Sequence, residues 1–386
     1  MNTETQDQPV VLEDYLDRLA AFEPTTLPVL SLYLNTQADE HGRTPDLVPF
    51  LKREFSRLAN TWPATSPERA SFDGDAQKVL DFVEQQLDPA VNGLALFACS
   101  GADNFFEAIQ LNAPIDEHRV YAYNQPHLFH LARLDDEYPR YAAVVTDANT
   151  ARIVVFGTGQ MLEAEKVKGK KMNRVKVGGW SQARYQRRVE NAQHQHAREV
   201  VEQLARIVRQ DQVTHIVLAG DPMMIPQIEQ ELPKELADML TGSVKTGVKT
   251  SEAELFEATL EKMREADAAS DAEKVQRLLD RYRARGLAVV GPQDTLEALA
   301  NGQVDEILIS AAMEASRPET EEVEAILAPE LPDSTGGTES EEPRPASMPD
   351  LLVTKAKQTG ATVTFIEDAS LLESVEGVGA FLRWRA

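Results

Sequence analysis

The sequence predicts an α/β (α+β mixed) fold in three domains, and three observations lead there. At 386 residues the chain exceeds one typical hydrophobic core. Its 42% hydrophobic and 26% charged residues are ordinary for a globular protein. Short apolar runs of strand length alternate with longer helical patterns, which is the signature of layered α/β domains. The expected domains are residues 1–137, 138–270 and 271–386, the last interrupted by a disordered acidic insertion at 328–350.

In the first block, residues 11–22 read as a helix, followed by Pro24 and Pro28 and the strand-like run VLSLYLN at 29–35. Polar helical patterns cover 49–60 and 75–87. Residues 94–99 (LALFAC) read as a buried strand, and further strands are expected at 107–111 and 128–134. In the second block, YAAVVT at 141–146 and ARIVVF at 151–156 flank the turn Asp147-Ala148-Asn149 and form a hairpin, with another strand at 160–167. A helix is expected from 181 to 210, because Val189, Ala192, His196, Val200, Leu204 and Ile207 or Val208 recur at steps of three or four. The strand HIVLA at 215–219 ends in the turn Gly220-Asp221-Pro222, and helical segments follow to about residue 268.

The third block opens with a charged helix at 272–285, stopped by Gly286. A strand at 287–290, a helix from Asp294 to Ala300 and the strand EILIS at 306–310 come next. Residues 328–349 hold five prolines, paired glycines and many acids, a composition that resists a packed core. A helix at 351–359 ends at Gly360, and strands follow at 361–366 and 381–385.

Charge points to function. The chain has 63 acidic against 39 basic residues, a net charge of -24, yet residues 166–188 (KVKGKKMNRVKVGGWSQARYQRR) carry nine Lys or Arg and no acid. An acidic chain that gathers its positive charge in one Gly-containing segment presents that segment to a polyanion, RNA or phosphate. The overall acidity argues against indiscriminate nucleic-acid binding. The phosphate contacts expected are Lys168, Lys170, Lys171, Arg174, Lys176, Arg184, Arg187 and Arg188, against the alternative of a solvated charged face. Trp180 either stacks on an RNA base or packs against its own domain. Ser181 suits a helix N-cap.

Other chemistry is not indicated. The lone Cys99 allows no internal disulfide and reads as a small buried hydrophobe, which fits a reducing cytoplasm. The opening MNTETQDQPVVLEDY lacks a signal-peptide pattern, and no apolar run approaches bilayer length, so a cytoplasmic location is expected with no membrane partner. His194 and His196, two apart on a helix, diverge, and the His127-x-x-His130 pair has no matching ligands, so no metal site is expected. No Walker-type phosphate loop occurs, and no cofactor is expected.

The last two blocks resemble the archaeo-eukaryotic class I release factors and their Pelota relatives, most of all the bacterial branch of that superfamily. The residues that carry the resemblance are Gly178-Gly179-Trp180-Ser181 followed by Arg184-Tyr185, the long helix, and IVLAG at 216–220. Independent of these are GPQDTLEAL at 291–299, VDEILI at 304–309 and GAFLRWR at 379–385. The resemblance covers roughly residues 138–386. It implies a ribosome A-site ligand whose glycine loop reaches the tRNA acceptor end at the peptidyl-transferase centre, in contact with rRNA. It implies hydrolysis of the peptidyl-tRNA ester by water, a reaction that needs orientation and preorganised donors more than a strong base. Gly178 and Gly179 would give the loop its backbone freedom. The family's glutamine position holds Trp180, and Gln182 takes the catalytic role if the loop register differs, or else is a first-turn residue of the helix. The first block matches no codon-reading motif, so codon-independent rescue of stalled ribosomes is expected. The alternative is a non-catalytic Pelota-like factor for rescue or for hibernation of idle ribosomes. The family's C-terminal domain docks partner proteins, which admits a translational GTPase.

Overall fold

The computed structural model describes residues 11–39, 41–168, 181–247, 249–313 and 346–385; the side chains of residues 160, 163, 168, 181–186, 188 and 190 lie outside the description. The chain forms two compact units, a central one of Glu137–Ser270 and a terminal one that joins Met1–Asp136 with Asp271–Ala386.

The terminal unit contains two sheets. The first has the order β3-β2-β1-β4, formed by β1 (Val29–Asn35), β2 (Gly93–Cys99), β3 (Phe105–Leu111) and β4 (Arg119–Tyr123), all antiparallel. Leu30, Leu32, Leu34, Leu94 and Leu96 face Leu51, Phe55, Phe72 and Val79 of helices α2 (Val48–Ala59) and α3 (Pro67–Gln85). The alternate residues Tyr33, Phe97 and Cys99 are buried too, so β1 and β2 have no wet face and read as unbroken apolar runs. Helix α3 starts eight residues before the expected 75, because Ser66 accepts from the Arg69 N–H and Pro67 opens the first turn. Helix α1 (Leu12–Ala20) precedes this sheet.

The second sheet has the order β10-β13-β11-β12, from β10 (Ala288–Val290), β11 (Val304–Ser310), β12 (Thr362–Ile366) and β13 (Val378–Leu382). Only β11 and β12 run parallel. Helix α9 (Pro292–Ala300) and helix α10 (Met348–Gln358) accompany it. Two expectations are corrected here. The insertion at 328–350 does not extend to 350: α10 begins at Met348, with Pro349 in the first turn where its missing N–H costs nothing, and Asp350 is buried. Residues 314–345 lie outside the described residues. The last strand is 378–382 rather than 381–385, because its small residues pack closely: a Cβ on Gly379 would come within 2.6 Å of Leu278.

Helix α4 (Phe129–Glu137) replaces the strand expected at 128–134. Its first turn is satisfied from far along the chain. Asp350 Oδ1 accepts from the Leu128 N–H and, at 3.2 Å, from the Phe129 N–H. Phe129, Leu131, Ala132 and Leu134 are buried. On the same helix Arg133 pairs with Glu367 at 3.1 Å, and Asp136 Oδ2 accepts from the Phe365 N–H at 3.0 Å.

The central unit is a five-stranded sheet of order β7-β6-β5-β8-β9. Strands β5 (Tyr141–Thr146), β6 (Thr150–Gly157) and β7 (Gln160–Lys168) form antiparallel hairpins; β5, β8 (His215–Gly220) and β9 (Leu240–Val244) run parallel. One face is covered by α5 (Ser181–Gln210), α6 (Ile225–Glu231) and Leu236 of α7 (Lys234–Ala237). The other face receives Leu255 and Met263 of α8 (Glu252–Arg283). Helix α8 opens on a capping box, Ser251 with Glu254, and runs unbroken through the boundary expected near 271. Strand β9 falls in a stretch expected to be helical; it is an edge strand containing Gly242.

Candidate nucleic-acid interface

The basic segment joins β7 to α5, and the sheet register fixes where it leaves the core. Lys168, the last residue of β7, lies opposite Thr150, beside the β5–β6 turn. Because β5, β7, β8 and β9 point the same way, their C-terminal ends share one edge of the central sheet. Lys166 is exposed, and the neighbouring Glu165 is paired with Arg206 of α5.

Helix α5 divides into two halves. Its core residues among those described are Ala197, Val200, Val201, Leu204 and Ile207, with His196 also buried. Val189 and Ala192, expected on the same stripe, are only half-buried. Residues 181–195 make about 22 Å of helix at ~1.5 Å per residue before this segment, and none of their described side chains is buried.

The basic side chains along α5 have different surroundings. Arg198 donates to Glu231 of α6 at 2.9 Å, and His194 lies 3.6 Å from the same carboxylate. Arg198 holds Glu231 below the ordinary carboxylate range. Arg206 is paired with Glu165. Arg187 is exposed and has no carboxylate partner among the described residues. Among the described side chains of α5, the positive charge of Arg198 and Arg206 is neutralised and that of Arg187 is not.

Of the residues expected in the site, Lys168 ends β7, and Gln182, Arg184, Arg187 and Arg188 lie in the first turns of α5 after Ser181. Lys170, Lys171, Arg174, Lys176, Gly178, Gly179 and Trp180 lie outside the described residues. The sequence reading missed Lys245 and Lys249, which stand at the same sheet edge; the signal was a basic, acid-free KTGVKT at 245–250.

The histidines of the terminal unit belong to a different arrangement. His130 Nε2 is 2.8 Å from the Tyr121 hydroxyl, and His127 Nδ1 is 3.3 Å from Asp350 Oδ1. Burial pushes the His130 imidazole down to about 2, with His127, Arg119 and Arg133 adding to the shift. These groups tie α4 to β1 and β4 and to Asp350 of α10. Among the described residues no group of three or more His, Cys, Asp or Glu could hold a metal ion, and no helix is long and apolar enough to cross a membrane.

The family model for the bacterial archaeo-eukaryotic release factor family 10 matches residues 126–264, which include the sheet, the basic segment and α5. The model for eRF1 domain 3 matches residues 268–386. The chain is a bacterial archaeo-eukaryotic release factor-like protein. It is similar to the peptide chain release factor subunit 1 of Methanocaldococcus jannaschii, with 22% identity over 293 residues, 70% of this chain and 68% of that one. Among solved structures, Archaeoglobus fulgidus Pelota covers 99% of this release factor-like protein and is itself covered over 97%, at 11% identity and a TM-score of 0.34. Dom34 of S. cerevisiae covers 98% and is covered over 93%, at 10% identity and a TM-score of 0.40. Residues 1–125 fall outside both family matches.

Proposed function

We propose that this release factor-like protein binds the ribosomal A site without reading a codon and hydrolyses the ester of peptidyl-tRNA. The observation that carries this reading is the long half-packed α5, preceded by a basic glycine-containing segment inside the family 10 match. The length of helix supplies reach toward the acceptor end of the tRNA, and the unpaired positive charge suits rRNA and tRNA phosphates. Gly178 and Gly179 let the backbone approach the ester closely. Gln182 orients the attacking water, and preorganised donors stabilise the oxyanion. The domains in this reading are 1–137, 138–270 and 271–386, the last docking a translational GTPase, and the site of action is cytoplasmic.

Trp180, where the family carries glutamine, favours a second reading. In it the protein occupies the A site as a Pelota-like rescue or hibernation factor and breaks no bond. One experiment separates the two: peptide release from purified ribosomes carrying peptidyl-tRNA and an empty A site, with co-sedimentation in parallel. Release by the wild type, lost by at least about 100-fold in Gln182→Ala, is expected of the hydrolase. Tight co-sedimentation without release leaves only the second reading. Absence of co-sedimentation overturns both.

A further inference from the structure

The same edge of the central sheet carries a feature that the basic segment does not account for. The turns that follow the three parallel strands β5, β8 and β9 surround an open crevice of ≈ 600 Å³. Its lining includes Thr146, Asp147, Asp221, Lys245, Thr246 and Lys249. Parallel strands deliver all three turns to one place, and the outer side of such carboxyl ends is where α/β sheets hold ligands.

The crevice walls are built. Asp147 Oδ1 accepts from the N–H groups of Asn149 and Thr150, both at 2.8 Å. The Asp221 N–H donates to Thr146 O at 2.9 Å, and Asp221 Oδ1 accepts from the Met223 N–H at 2.9 Å. Gly220 has φ +122°, and a Cβ there would lie 2.0 Å from Thr146 O, so the β5 and β8 turns touch backbone to backbone. The third turn is tied by the Thr246 and Thr250 hydroxyls at 2.6 Å and by Arg152, which donates to Thr250 O at 3.0 Å.

What these contacts leave over is specific. Each carboxylate spends Oδ1 on its own turn, and Oδ2 of Asp147 and of Asp221 has no partner among the described residues. Lys245 and Lys249 are exposed and pair with no carboxylate among the described residues, in a chain with far more acids than bases. Two free ammonium groups beside two free carboxylate oxygens match a phosphate joined to a hydroxyl-bearing sugar. Lys168 stands two strands away, about 10 Å at ~4.8 Å per strand, so one extended strand can touch both places.

We propose that this crevice holds one ribonucleotide of an RNA strand. Lys245 and Lys249 contact its phosphate, and the free carboxylate oxygen of Asp147 or of Asp221 accepts from its 2′-hydroxyl. The lysines supply attraction that releases counterions, and the carboxylates tell RNA from DNA. The crevice is open, and no aromatic ring is among its lining residues, so it holds the nucleotide as part of a strand rather than as a free molecule. The proposal rests on the reading of the basic segment as an RNA ligand and adds a second contact to it.

The test uses the full chain and labelled single strands of about 20 nucleotides, RNA and DNA of one sequence, with binding followed by fluorescence anisotropy across a salt series. The variant Lys245→Gln/Lys249→Gln is expected to bind RNA about 10-fold more weakly, with the slope of log K against log salt shallower by roughly 1 to 2. Asp147→Asn/Asp221→Asn keeps both turn acceptors and is expected to lower the ratio of RNA to DNA affinity about 5-fold. Adenosine 5′-monophosphate at matching concentration is expected not to displace the RNA. An unchanged affinity and slope in the lysine variant, an unchanged ratio in the aspartate variant, or displacement by the mononucleotide overturns the proposal, as does a wild type that binds no RNA. Circular dichroism confirms folding, and the single lysine variants carry the test if the double one unfolds. Failure of the ribosome reading shows separately, as a wild type that binds free RNA through Lys245 and Lys249 yet does not co-sediment with ribosomes.

Discussion

The central unit closes its sheet from one continuous stretch, Glu137–Ser270, whereas the terminal unit is assembled from Met1–Asp136 and Asp271–Ala386. The two therefore rely on different kinds of contact. In the central unit, neighbouring segments make hairpins and a β-α-β crossover, and apolar packing of α5 and α8 on the two sheet faces does the rest. In the terminal unit, residues more than two hundred positions apart must meet through hydrogen bonds. Asp350 caps the start of α4, Asp136 takes the Phe365 N–H, and Gln358 donates to Ala20 O at 2.7 Å. The difference teaches that one unit folds from a local stretch of chain, while the other joins distant stretches through polar contacts.

The sharpest way to break that contrast is Asp350→Ala. It leaves the two buried N–H groups of Leu128 and Phe129, at the start of α4, without an acceptor and is expected to cost about 3–4 kcal/mol. Denaturant unfolding measures the loss. Hydrogen exchange should show faster opening of α4 and α10 with little change in β5 and β8. Equal loss of protection in β5 and β8 would erase the distinction between the units.

Within the central unit the halves of α5 are expected to differ. Leu204 is fully buried in the cluster under the sheet, and Leu204→Ala should cost about 3 kcal/mol. Val189 is half-buried on the stretch before the packed segment, and Val189→Ala should cost under about 1 kcal/mol. Comparable losses from both would mean that the start of α5 is packed, and the reach ascribed to it would disappear.

The same contrast explains what could be read from the sequence. The central unit was legible where periodicity and turn chemistry are local. The helix 181–210, the Asp147-Ala148-Asn149 turn and the apolar run of β8 all follow from neighbouring residues. The similarity to release factors was legible in the order of short motifs. The strand expected at 128–134 was not corrected by anything nearby, because the acceptor that starts helix α4 is Asp350. Strands β4 and β9 were missed since RVYAY and LTGSV are half-exposed edges with weak alternation. The crevice was invisible for a similar reason. Its three turns are far apart in sequence, and only parallel pairing of β5, β8 and β9 unites them.

A further expected effect concerns pH, and it also falls on one unit only. His130 is held neutral, with its folded value pushed down to about 2 by burial against Tyr121, His127 and Tyr33. In the unfolded chain a histidine takes up a proton near pH ~6.5. Since the folded value lies below the unfolded one, the stabilisation from a neutral His130 is full above pH ~6.5 and falls as pH drops toward the folded value. His130 is half-buried, and allowing for partial solvent screening the loss between roughly pH 7 and pH 5 is about 1–2 kcal/mol. Hydrogen exchange at the two pH values, corrected for intrinsic rates, should place that loss in α4 and β4 and leave β5 and β8 unmoved. In His130→Gln, which cannot titrate and retains a polar atom for the Tyr121 hydroxyl, the slope should flatten. A slope that survives the substitution would assign the acid sensitivity to another group and remove His130 from the contacts that make the terminal unit different.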